Sequence, residues 1–173
     1  MNARTHARLP LLLIGVLTLL LAGCTVTYVV PENGVVIRPE PGPVVIERFD
    51  VFGGTSIFRE GDEIAFAIRT RQSGYVTLSV LLPDGHVRVV ASDIPVRGGQ
   101  TTLLDGSSFG SRFLVGPPSG YHRVRAAFTS GPTGSGTAVF EGRSGEAGWT
   151  TAIRIVIDPF PVTDVAETEF YVR

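Results

Sequence analysis

Few residues of this chain have types that could do chemistry, and their spacing sorts them quickly. Gly106-Ser107-Ser108-Phe109-Gly110 fits G-x-S-x-G, in which a sharp strand-to-helix turn aims a serine hydroxyl at a carbonyl. That elbow needs a helix directly after the serine. Arg112 to Val115 reads as a strand and Pro117-Pro118 stops any helix, so Ser108 is assigned to a Gly/Ser loop, with a serine hydrolase built on it as the alternative. Beyond residue 23 the only imidazoles are His86 and His122, each beside a turn and neither at local metal-ligand spacing. Glu60, Asp62 and Glu63 cluster without the D-x-D-x-D-G order of a calcium loop and read as a solvated turn. All 15 basic residues are Arg, so a P-loop lysine, a Schiff base and a Ser-Lys dyad are excluded. No catalytic residue, metal or cofactor is expected.

The residue whose spacing does specify chemistry is Cys24, the single cysteine. Arg4, His6 and Arg8 precede an apolar run from Leu9 to Leu21, shorter than the ~20 apolar residues that span a bilayer and laid out as a secretory signal. The run ends Leu21-Ala22-Gly23-Cys24, which resembles the lipobox of bacterial lipoproteins. The resemblance implies cleavage before Cys24, a lipid on its thiol, and acylation of the new amino group by a chain such as palmitate. The expected location is the cell envelope, anchored to a bacterial membrane, and with no cysteine to spare the exported part relies on its core rather than on disulfides.

Processing leaves 150 residues, the common size of one domain, with 13 basic against 16 acidic groups and a formal charge of −3. The Arg residues are scattered among apolar positions rather than gathered on one face, so nucleic acid is not an expected partner. Residues 24–43 are rich in Pro and Val, with Pro31-Glu32-Asn33-Gly34-Val35-Val36-Ile37-Arg38 loosely repeated from Pro39 to Arg48. Proline stiffens such a stretch and removes ladder donors, so it reads as a semi-rigid tether before a single domain at 44–173.

Within that domain the period is two. Ile64, Phe66 and Ile68 alternate in Glu63 to Thr70, and Val76, Leu78, Val80 and Leu82 in Tyr75 to Leu82. Arg71 to Gly74 is expected to turn the chain between these strands, and Pro83-Asp84-Gly85 to turn it again into His86 to Ala91, making a meander. Further strands are expected at Gln100 to Leu104, Arg112 to Val115, His122 to Thr129, Thr137 to Glu141, Thr150 to Ile157 and Thr168 to Arg173. No amphipathic helix is expected after the signal, and the loops Ser130 to Gly136 and Gly142 to Gly148 are expected to be exposed and mobile. About eight to ten short strands predict an all-β fold, an antiparallel sandwich of Ig-like architecture or a partly closed barrel.

Phe58-Arg59-Glu60-Gly61-Asp62-Glu63-Ile64-Ala65-Phe66, then Ser73-Gly74-Tyr75-Val76-Thr77-Leu78, then Pro83-Asp84-Gly85-His86-Val87 form an ordered series. With Gly116-Pro117-Pro118-Ser119-Gly120, this order resembles the bacterial domain of unknown function 4384 over residues 55 to 130. The resemblance implies a β-rich module found in envelope lipoproteins and beside signalling or peptidase domains, with no catalytic residues to carry over. The expected role is a non-catalytic binding or scaffolding module for envelope proteins or cell wall, with a carrier of a small apolar ligand as a further alternative. Among Tyr75, Tyr121, Phe113, Phe128, Phe140 and Trp149, an exposed aromatic ledge would supply contacts, and Trp149 is its foremost candidate.

Overall fold

The computed structural model describes residues 44–107, 110–134 and 138–173. Leu21, Ala22, Gly23, Cys24, the tether and Ser108 lie outside the described residues. In chain order the elements are β1 (Ile46–Val51), β2 (Ile57–Phe58), β3 (Phe66–Thr70), β4 (Gly74–Leu81), β5 (Val87–Val96), β6 (Thr101–Leu104), β7 (Gly120–Thr129), α1 (Gly145–Ile157) and β8 (Thr163–Val172).

The strands form an all-β sandwich of two sheets with no closed barrel, ordered β1-β3-β6 and β2-β8-β7-β4-β5. Alternation explains the core between them. Val76, Leu78 and Val80 of β4 and Val124, Ala126 and Phe128 of β7 point inward, where they join Phe49, Phe66 and Ile68 of the smaller sheet. Pairing is antiparallel throughout except for the short parallel contact of β2 with β8.

The expected meander holds only at its second link, where β4 pairs antiparallel with β5 across the Pro83–Gly85 turn. Arg71–Gly74 does not close a hairpin: β3 lies in one sheet and β4 in the other, so this segment crosses the sandwich. Alternation states which face of a strand is buried, and two strands facing each other across a core satisfy it as well as two neighbours do.

The larger correction is a helix. Thr150 to Ile157, expected as a strand, lies in α1, and of the strand expected at Thr137 to Glu141 the described residues from Ala138 hold one 3-10 turn, Ala138–Phe140, instead. Trp149, Ala152, Ile153 and Val156 are buried at i, i+3, i+4 and i+7, the stripe of an amphipathic helix. That stripe covers Ala127, Val165 and Val87 on the outer face of the larger sheet, forming a second apolar layer. Its β-branched residues disfavour helix weakly, by tenths of a kcal/mol each, whereas burying side chains of this size is worth about 1.5–3 kcal/mol apiece. Tertiary burial therefore decides the outcome.

The helix start is also held. Gly145 N–H donates to the Gly85 carbonyl at 2.7 Å and Val87 N–H to the Arg143 carbonyl at 3.3 Å, so the β4–β5 turn docks the segment before α1. The expected mobile loop at Gly142 to Gly148 thus ends in the first turn of the helix. The Ser130 loop is pinned at Thr133, whose N–H and hydroxyl both donate to Asp93 Oδ1, at 2.6 and 2.8 Å.

Candidate ligand-binding cleft

Near the Pro83–Gly85 turn, one end of the sandwich holds a cleft of about 280 Å³. Its inner wall follows from the strand register: Val80 and Val124 pair across β4 and β7, and His122 and Phe170 across β7 and β8, all lining it. Ile64, Phe66 and Leu82 extend that apolar wall. The other side is the segment Arg112–Pro117. Arg112 to Val115, expected as a strand, makes among the described residues a single bridge, Leu114 to Glu63, and three backbone hydrogen bonds tie it to the opposite segment. Those bonds run from Gly61 N–H to Val115 O at 2.8 Å, from Val115 N–H to Asp62 O at 2.9 Å and from Ile64 N–H to Phe113 O at 3.0 Å.

His122 belongs to this wall. It is almost fully buried, lies 5.0 Å from the Phe170 ring in a stacked pair, and bonds through Nε2 to the Pro118 carbonyl at 2.8 Å. A carbonyl only accepts, so Nε2 carries the hydrogen there, and that nitrogen is committed to holding the Pro117-Pro118 segment. The rim carries Arg88 and Arg112, both exposed and both lining the cleft; Arg112 pairs with Glu63.

The other residues singled out by type fall elsewhere. His86 is exposed on the β4–β5 turn, with Nδ1 3.1 Å from Asp84. The Asp84 carboxyl is held below its ordinary range, first by the His86 backbone N–H. Asp62 accepts the Arg59 N–H at 2.7 Å, closing the turn that Glu60 and Glu63 share. Among the described residues no three His, Cys, Asp or Glu side chains gather into a metal site. In the G-x-S-x-G segment Asp105 accepts both the Ser107 hydroxyl and its N–H, at 2.6 and 2.9 Å, a local turn at the start of the loop.

Trp149 is not the exposed contact expected of it: its exposure is 0%. The ring sits under α1 with Nε1 donating to Ser79 Oγ at 2.8 Å and the Arg125 guanidinium carbon 4.0 Å from its centroid. Among the aromatics considered, Tyr121 is the exposed one, and it meets Tyr171 edge to face at 5.1 Å.

Sequence reading missed the ionic cluster around that tryptophan. Arg125 Nε donates to Glu167 Oε2 at 2.7 Å, Arg123 Nε to Glu167 Oε1 at 2.5 Å and Arg123 Nη1 to Glu146 Oε2 at 2.7 Å, while Arg125 Nη2 also reaches Glu146. Burial alone would raise the Glu146 pKa, but the hydrogen bond and charge of Arg125, joined by Arg123, hold it below the ordinary 4.5. The available signal was the alternation of Arg123 and Arg125 with Val124 and Ala126, which puts both guanidiniums on the outer face of a strand whose inner face is core.

The fold and cleft define a β-sandwich with an apolar opening at one end and a helix packed on its outer sheet. Residues 57–132 match the family model described as domain of unknown function (DUF4384), the domain to which the motif order points. No curated protein and no solved structure matches the chain.

Proposed function

We propose that the protein is a lipid-anchored, non-catalytic binding module of the bacterial cell envelope that holds a small apolar ligand in the end cleft. The observation that carries this reading is the cleft itself: apolar wall residues from both sheets leave about 280 Å³ open beneath an irregular strap. Ligand sites are characteristically apolar concavities with few polar groups placed to orient the occupant. The anchor rests on the signal-like segment and on Leu21-Ala22-Gly23-Cys24.

The buried polar groups support binding rather than turnover. His122 Nε2 is bonded to a carbonyl, and Arg125 and Glu167 are bonded to each other under α1.

Native mass spectrometry of the full chain, gently released from membranes, tests the reading. A small apolar adduct is expected on the wild type and is expected to vanish in Val90→Trp, which fills the cleft from the β5 side. An adduct retained by that variant, or none on the wild type, defeats the cleft as binding site. Cys24→Ala is expected to leave the membrane fraction or accumulate as precursor, and normal mass with normal membrane retention would refute the anchor. The hydrolase alternative is tested by ester turnover that Ser108→Ala removes while the fold persists.

A further inference from the structure

We infer that the ligand of the cleft is a small carboxylate with an apolar tail, the tail lying against Val80, Val124 and Phe170 and the carboxylate held at the rim by Arg88 and Arg112. This rests on the cleft reading above and adds the head group to it.

Charge is the first ground. The chain is acidic overall, yet every ionisable side chain lining the cleft is of the basic type: Arg88, Arg112 and His122, with no acid among the described lining residues. Position is the second. Both arginines are exposed while the wall behind them is buried, so the cationic groups stand where a ligand would leave the apolar interior and meet water.

Availability is the third ground. The Arg88 guanidinium has no hydrogen bond or ion pair among the described residues, and interacts with Asp84 through charge alone. Arg112 pairs with Glu63, but both side chains are more than half exposed, at 73% and 59%, and such surface pairs contribute little and exchange readily. A planar guanidinium offers parallel N–H donors that match a carboxylate's two oxygens. Size sets the tail. The volume, about 280 Å³, falls just below the ~300–1,000 Å³ of pockets that take drug-sized molecules, which suits a short acyl chain and excludes a whole two-chain lipid.

The test uses the full chain in lipid nanodiscs, with empty nanodiscs as the blank, and compares octanoate with octanol by calorimetric titration and by the ¹³C carboxyl shift of labelled octanoate. Octanoate is expected to bind more tightly than octanol. Arg88→Gln and Arg112→Gln, both at exposed positions, are each expected to weaken octanoate by about three- to tenfold and to leave octanol unchanged. Equal binding of octanol and octanoate, or octanoate binding that neither variant weakens, overturns the head-group assignment and leaves the cleft reading standing. Binding of neither compound overturns both.

Discussion

The guanidinium carbon of Arg125 lies 4.0 Å from the centre of the Trp149 ring, between a β-strand and the helix above it. Arg125 also pairs with Glu167 directly across β7 and β8, and Trp149 donates to Ser79, the β4 neighbour of Arg125 in register. The sheet therefore fastens the helix through the Arg125–Trp149 cation–π contact, the Ser79 hydrogen bond to Trp149 and the ion pair of Arg125 with Glu146, while Glu167 holds Arg125 from within the sheet. Desolvated cation–π contacts are worth about 2 kcal/mol.

Removing Arg125 is expected to be costly because its partner stays behind. Arg125→Met leaves Glu167, 5% exposed, with Arg123 alone, and is expected to destabilise the fold by about 3 kcal/mol in urea unfolding. Wild-type Trp149 emission is expected to be blue-shifted and resistant to quenchers. A water-exposed spectrum in the wild type, or a variant as stable as wild type, contradicts this account of the helix contact.

Glu146 gives the cluster a pH dependence of known sign. Its folded pKa is depressed below 4.5, so its stabilising contribution is present above about pH 4.5 and is lost as pH falls through the folded value. Glu146→Gln is expected to be less stable than wild type at pH 7, with the gap closing below pH 4.5. Denaturant titrations of both proteins from pH 7 to pH 3 measure it, and a gap that stays constant or widens in acid speaks against the assignment.

Gly74, which opens β4, is expected to tolerate no side chain. A Cβ there would lie 2.5 Å from Phe128 Cζ and 2.6 Å from the Thr129 carbonyl oxygen, and Phe128 is fully buried. Gly74→Ala is expected to cost about 1–3 kcal/mol and lower the melting temperature. An unchanged melting temperature would mean that the β4–β7 contact relaxes freely.

Thr77 is expected to behave in the opposite way. Its Oγ1 is buried beneath the helix layer with no hydrogen-bond partner among the described residues. Thr77→Val keeps the shape and removes a polar atom whose desolvation costs about 1–3 kcal/mol, so the variant is expected to be more stable. Destabilisation in urea would reveal a partner for that hydroxyl.

The strands were legible because a half-buried strand writes its two faces as alternating residues: Val76-Leu78-Val80 and Val124-Ala126-Phe128 read correctly from spacing alone. The helix was not, although Trp149, Ala152, Ile153 and Val156 carry its stripe. Thr150, Thr151, Ile153, Ile155, Val156 and Ile157 are β-branched and mimic a strand, and the Gly-rich segment before them reads as a loop. Of the cleft, His122 was noticed for its type, while Arg88 and Arg112 had nothing local to mark them, since only folding brings residues 88 and 112 to one rim.

By itself the sequence determined the period of the strands, the β4–β5 turn and the order of motifs that marks the domain, because each depends on residues within a few positions of one another. The tertiary structure alone decided that β3 and β4 part into different sheets, that residues 145–157 coil, and that two distant arginines stand over one apolar opening. Those outcomes depend on which buried faces meet, and the free energy of burying one face against another belongs to the pair rather than to either segment.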